Sequence, residues 1–164
     1  MTAILAPDPA IDESREADGR RERSRSSRAR IVSAMLELVG NGDVSPSAAR
    51  VAEVAGVGLR SVFRHFDDMD ALYREMCDAI EAKVIPIIME VPGGDTWKER
   101  MLYTADKRAR VFEAILPYRI SANLKRFQSE FLMQDYKRML RLESESLYAQ
   151  LPPSVREDTL GARA

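Results

Sequence analysis

Gly56-Val57-Gly58 divides two stretches that each carry a helical apolar pattern and are each too short to hold a helix alone. A helix of about 8 residues is unstable by itself in water, because nucleation fixes several residues for a single hydrogen bond. Packing against other elements must therefore hold both. After the glycines, Leu59, Val62, Phe63 and Phe66 fall at i, i+3, i+4 and i+7, the spacing of a core-facing stripe. At about 100° per residue, Arg60, Ser61, Arg64 and His65 project to the other side. That side holds cations and hydrogen-bond donors and no acid, whereas a solvated face ordinarily mixes signs. Gly56 suits a tight turn needing positive φ, Val57 is placed to plug the gap between the helices, and Gly58 opens the next helix without a side-chain oxygen.

The same helical period runs through the rest of the chain. Ile31, Met35, Leu38 and Val39 predict a first helix from about Ser27, capped by Ser26 or Ser27, with Val32 and Leu36 widening its stripe. Gly40-Asn41-Gly42 should stop it. Ser45-Pro46-Ser47 opens a second helix over roughly 47–55, buried through Val51, Val54 and Ala55, and a third runs from about 59 to 66. Asp67-Asp68 caps a fourth bearing Leu72, Met76, Ile80 and Val84, which Pro86 should kink or end. After Pro92-Gly93-Gly94, Asp95 is expected to cap a fifth helix with Trp97, Met101, Ala105, Val111, Phe112 and Ile115, interrupted at Pro117. A long helix over roughly 121–150 would bury Leu124, Phe127, Phe131, Leu132, Met139, Leu142 and Leu147. Pro152-Pro153-Ser154 breaks it before a last helix begins. No alternating strand of useful length occurs, so the expected fold is all-α.

Composition excludes several classes. One cysteine, Cys77, and one histidine, His65, in 164 residues leave no intramolecular disulfide, little material for nucleophilic or metal catalysis, and no expected cofactor. Cys77, within a helical pattern, reads as a small buried hydrophobe. No apolar run approaches the ~18 residues of a membrane span, and the N-terminus lacks a secretory h-region, which predicts a cytoplasmic protein.

The net charge of −1 hides a local excess. Residues 19–66 hold nine arginines against four acids, while residues 1–18 hold one arginine against five. Residues 1–19, rich in Pro, Asp and Glu, are expected to be disordered. The run RRERSRSSRAR at 20–30 places six arginines where they can track a DNA backbone, although such runs are also often only solvating.

The spacing around Gly56 is that of a helix-turn-helix, whose second helix enters the major groove while the first crosses the backbone. Arg60 and Arg64 are then placed for bidentate contact with guanine, and Ser61 and His65 could reach phosphates or bases, with His65 read as a packing or backbone-contact residue ahead of a base reader. Residues from about 28 to 72 resemble the DNA-binding domain of the TetR family of transcriptional regulators. The resemblance rests on Ile31, Met35 and Leu38, on Val51-Ala52 and Ala55-Gly56-Val57, and on Val62-Phe63-Arg64-His65-Phe66 followed by Leu72. It implies a homodimeric, repressor-like protein with a DNA-binding domain over 20–68. A helical effector-binding and dimerisation domain would follow over 69–164, short of the family's last helices. DNA contacts are expected from Arg28, Ser47, Arg50, Gly58, Leu59, Arg60, Ser61, Phe63, Arg64 and His65. The chain departs from the family pattern at Phe63, where a tyrosine is usual, at Met69, where a lysine is usual, and at Gly58, where Ser or Thr is common. These departures imply weaker phosphate anchoring. The resemblance also implies a pocket for a small apolar effector, with Trp97, Met101, Phe112, Phe127 and Phe131 as candidate contacts, although stripes at helical spacing are more often core. The competing expectation is a helical protein-interaction module without DNA binding, paired through the 121–150 helix.

Overall fold

The computed structural model describes the backbone of residues 9–156 and the side chains of residues 18–156. Six helices follow in order: α1 (Pro9–Gly40), α2 (Ala48–Ala55), α3 (Leu59–His65), α4 (Met69–Ile88), α5 (Trp97–Lys125) and α6 (Glu130–Gln150). A further helical turn starts at residue 153. No strand occurs among the described residues, and the fold is all-α.

α1 starts earlier than its apolar stripe. It is continuous from Pro9, so Ser26 and Ser27 lie inside it and cap nothing. Part of the 1–19 segment expected to be disordered is therefore helical, and residues 1–8 lie outside the described residues. The arginine run supports this extension: Asp18–Arg21 and Glu22–Arg25 pair at i, i+3, each at 3.8 Å, on an exposed helix. Gly42, at φ 96°, ends the element, with the Asn41, Gly42 and Asp43 amides folding back onto the carbonyls of Glu37, Val39 and Leu38.

Ser47 caps α2 by accepting from the Arg50 amide at 3.2 Å. Gly56 ends it in the left-handed region at φ 63°, and the Val57 amide reaches the Ala52 carbonyl at 3.0 Å. Val57 packs on the core as expected. α3 then turns Val62 and Phe66 inward, 1 % and 2 % exposed. They meet Ile31, Met35 and Val39 of α1, Val51 of α2, and Leu72, Tyr73 and Met76 of α4. Leu132 of α6 belongs to the same cluster, so the core runs unbroken across the 68/69 boundary.

The second half departs further from expectation. Thr96, one residue after Asp95, caps α5 through a capping box with Glu99. Pro117 does not interrupt α5, which runs on to Lys125. The carbonyl freed by its missing N–H belongs to exposed Glu113, where water can satisfy it. Pro86 likewise sits inside α4, two residues before its end. The expected 121–150 helix is broken at 126–129, where buried Ser129 caps α6 through the Leu132 amide at 3.1 Å and donates to Asp70 Oδ2 at 2.7 Å. Leu124, Phe127 and Leu142 are consequently exposed, whereas Leu132 is buried.

α5 buries Thr104, Lys107, Ile115 and Ser121, a stripe obscured in the sequence by its polar members. Lys107 Nζ donates to the Ile88 and Glu90 carbonyls at 3.1 and 2.9 Å, satisfying the end of α4. Beside it, Glu90 binds Arg110 and accepts from the Tyr103 hydroxyl at 3.0 Å. Together these contacts hold the α4–α5 joint.

Candidate nucleic-acid interface

With Val62 and Phe66 committed inward, α3 presents Arg60 and Arg64 to solvent. Arg60 has no ion pair or hydrogen-bond partner among the described residues, and Arg64 makes only a long contact, 3.4 Å, to Ser61 Oγ. No carboxylate neutralises either. Most other described arginines behave differently, being held by acids, carbonyls or aromatic rings: Arg108 by Glu143, Arg110 by Glu90, Arg138 by Glu81 and Asp135, Arg74 over Phe131.

Two residues assigned to the inward stripe lie elsewhere. Leu59 and Phe63 are 46 % and 51 % exposed and flank the two arginines. A seven-residue helix resting on Val62 and Phe66 has too narrow a buried arc to cover them. The face thus combines guanidinium groups with exposed apolar surface. Gly58 and Leu59 begin this face, and the Gly58 backbone is extended, with open space where a Cβ would stand.

The outer contacts expected around α3 are less free. Ser61 is half-buried. His65 is half-buried as well, and its Nε2 is enclosed without a partner. Burial first, then the charges of Arg64 and Arg28, push the imidazole pKa below its ordinary value, so it is neutral at pH 7. His65 therefore packs rather than reaching outward. Arg28 is engaged within the molecule: it donates from Nη1 to the His65 carbonyl, pairs from Nη2 with Glu75 at 2.8 Å, and stacks over Phe66 at 4.3 Å. This ties α1 to the end of α3 and to α4, and a phosphate contact by Arg28 would have to break it. Arg50 is exposed but paired with Glu53 at 2.8 Å, which raises its pKa. Ser47 is exposed, with its hydroxyl oxygen used by the α2 cap.

A second feature lies between α4, α5 and α6, a cavity of about 240 Å³. Ile80, Val84, Val111, Ile115, Met139 and Leu142 form its apolar walls. Its lining carries four cations and three acids: Arg108 pairs with Glu143 at 3.1 Å and Arg119 lies 3.9 Å from the same carboxylate, Arg138 pairs with Glu81 at 2.9 Å and Asp135 at 2.8 Å, and Lys107 is held by backbone carbonyls. Cys77 also lines it, and burial pushes its thiol pKa up to about 12. Of the aromatic and methionine candidates, only Phe112 borders this space. Trp97 and Met101 sit near the start of α5 away from it, Phe131 packs on the core beneath Arg74, and Phe127 is 75 % exposed under Arg126. The break at 126–129 is what removes Phe127 and Phe131 from the walls. The actual lining residues belong to the inward stripes of three separate helices, which no single stretch of sequence reveals.

No protein-family model matches the chain, and no curated protein or solved structure does either. No helix among the described residues is long and apolar enough to cross a membrane.

Proposed function

We propose that this protein is a sequence-specific DNA-binding transcriptional regulator of the TetR type, with α2, the turn at Gly56 and α3 acting as its helix-turn-helix. The observation that carries the reading is the unpaired pair of guanidinium groups, Arg60 and Arg64, on the outer face of α3. An arginine with no internal acid keeps its charge and both fork donors available for a guanine edge or a phosphate. Leu59 and Phe63 beside them supply apolar contact to thymine methyls.

The cavity supports effector control in this reading. Its walls are mainly apolar and its arginines already engage acids, so the ligand it suits is small and mainly apolar. α4 provides the link: Cys77, Ile80 and Val84 line the cavity, while Leu72, Tyr73 and Met76 share a core with α3, and Glu75 holds Arg28. A ligand that favours one setting of α4 would bias the position of α3 by its difference in affinity for the two settings.

Selection of bound sequences from a randomised duplex library tests the proposal. The wild-type chain should enrich a defined motif containing guanine. The Arg60→Ala/Arg64→Ala variant, folded to the same helicity, should enrich none. Equal enrichment by both proteins, or none by the wild type, would reject it.

A further inference from the structure

The cavity between α4, α5 and α6 holds one guanidinium that the rest of the molecule leaves short of acceptors. Arg119, its side chain 18 % exposed, makes a single hydrogen bond among the described residues, and that one, at 3.1 Å, goes to the Met139 sulfur. A thioether is a weak acceptor for a guanidinium with a full fork of donors to satisfy. The acid beside it, Glu143, stands 3.9 Å away, beyond hydrogen-bond reach. Glu143 is already taken by Arg108, which donates to its carboxylate at 3.1 Å and to its backbone carbonyl at 3.3 Å. Two guanidiniums therefore share one carboxylate. Keeping a largely buried cation with so few partners is costly unless something else completes its shell.

The other cations of the lining are better supplied. Arg138 faces two acids, Glu81 at 2.9 Å and Asp135 at 2.8 Å, so an added anion there would meet repulsion. Lys107 is spent on the Ile88 and Glu90 carbonyls at the end of α4. The surplus positive charge thus falls at Arg119. Its guanidinium lies 5.8 Å from the ring of Phe112, an exposed member of the wall, while Val84 and Ile115, each 4 % exposed, line the depth of the cavity. The site therefore offers a cation towards its open side and hydrocarbon further in. At roughly 30 Å³ per water-sized group, its volume of about 240 Å³ accommodates about eight non-hydrogen atoms.

We infer that the cavity takes a small apolar monocarboxylate, its carboxylate bound by Arg119 and its hydrocarbon body laid against Val84 and Ile115. An arginine fork matches a carboxylate through two parallel charge-assisted bonds, and the ligand's oxygens would replace the Met139 sulfur as acceptors. One negative charge cancels the surplus, whereas a dianion would also be repelled by Glu143. The inference rests on the effector reading of this cavity and narrows it, since the walls alone favour any small apolar molecule.

Calorimetric titration of the full chain with octanoate, octan-1-ol and octylammonium at pH 7.5, where the acid is ionised, tests it and needs no DNA. Octanoate should bind about tenfold or more tightly than octan-1-ol, and octylammonium more weakly than either. Arg119→Met keeps an unbranched side chain, removes the charge, and should reduce octanoate to the affinity of octan-1-ol. Arg119→Lys should retain most of the preference, and Glu143→Gln, by removing the competing carboxylate, should strengthen octanoate binding. Equal binding of octanoate and octan-1-ol by the wild-type chain overturns the carboxylate anchor and leaves the apolar effector reading standing. Binding of neither overturns both. A preference for octanoate that persists in Arg119→Met, folded to the same helicity, overturns the assignment to Arg119.

Discussion

Replacing Arg28 by alanine separates two roles for one residue, a phosphate contact expected from sequence and an internal clamp seen in the fold. The side chain joins three elements through the His65 carbonyl, the Glu75 carboxylate at 2.8 Å and the Phe66 ring at 4.3 Å. A charged donor on a backbone carbonyl contributes about 1 kcal/mol net when partly exposed. The ion pair, with both side chains about 40 % exposed, is discounted for solvent to about 0.5 kcal/mol. The stacking adds about 0.5 kcal/mol. Arg28→Ala should therefore cost about 2 kcal/mol, a roughly 30-fold shift in the folding equilibrium. Urea unfolding followed by circular dichroism should show a lower midpoint at unchanged slope. Arg28→Lys should recover less than half the loss, since an ammonium can neither fork between carbonyl and carboxylate nor stack flat on Phe66. Stability of Arg28→Ala within about 0.5 kcal/mol of wild type would refute the clamp.

Gly56→Ala forces a Cβ into the left-handed region at φ 63° and should destabilise by about 1–2 kcal/mol, read from the same urea midpoint. Cys77, with its thiol pushed up to about 12, should resist iodoacetamide at pH 8 in the native state and react fully in urea, as mass spectrometry would report. His65 has its folded pKa depressed below the ordinary 6.5, so the unfolded chain takes up the proton first as pH falls. Stability is therefore complete above about pH 6.5 and declines as pH drops through the folded value. His65→Asn should flatten that decline in urea midpoints compared between pH 7.5 and pH 5.5.

Helices carrying a single apolar stripe were legible in the sequence, because burial and periodicity coincide there. Ile31, Met35, Leu72 and Met76 all lie in the core, and Asp68 caps α4 by accepting from the Ala71 amide at 2.8 Å. The failures have local causes. Thr96 outcompetes Asp95 as the α5 cap because Glu99 stands three residues later and closes a capping box. Ser129-Glu130 was a readable helix start, a small polar cap followed by an acid, hidden within an apolar run that favoured one long helix. Polar Thr104 and Lys107 face inward because their groups find backbone carbonyls, Thr104 at Arg100 and Lys107 at the end of α4. The outward arginines of α3 followed from spacing alone. The engagement of Arg28 and His65 did not, since it depends on Glu75 of α4, 47 residues from Arg28 in the chain. The cavity lies between three helices and required their packing to be known.

The affinity of the protein for a duplex taken from upstream of its own gene, measured by fluorescence anisotropy against salt concentration, bears most directly on the role of α3. Contact by Arg60 and Arg64 predicts log K falling linearly with log salt at about −0.9 per phosphate neutralised, with weaker binding in Arg60→Ala and in Arg64→Ala. A response flat in salt, or one identical in wild type and both variants, would contradict the assignment of this face to DNA.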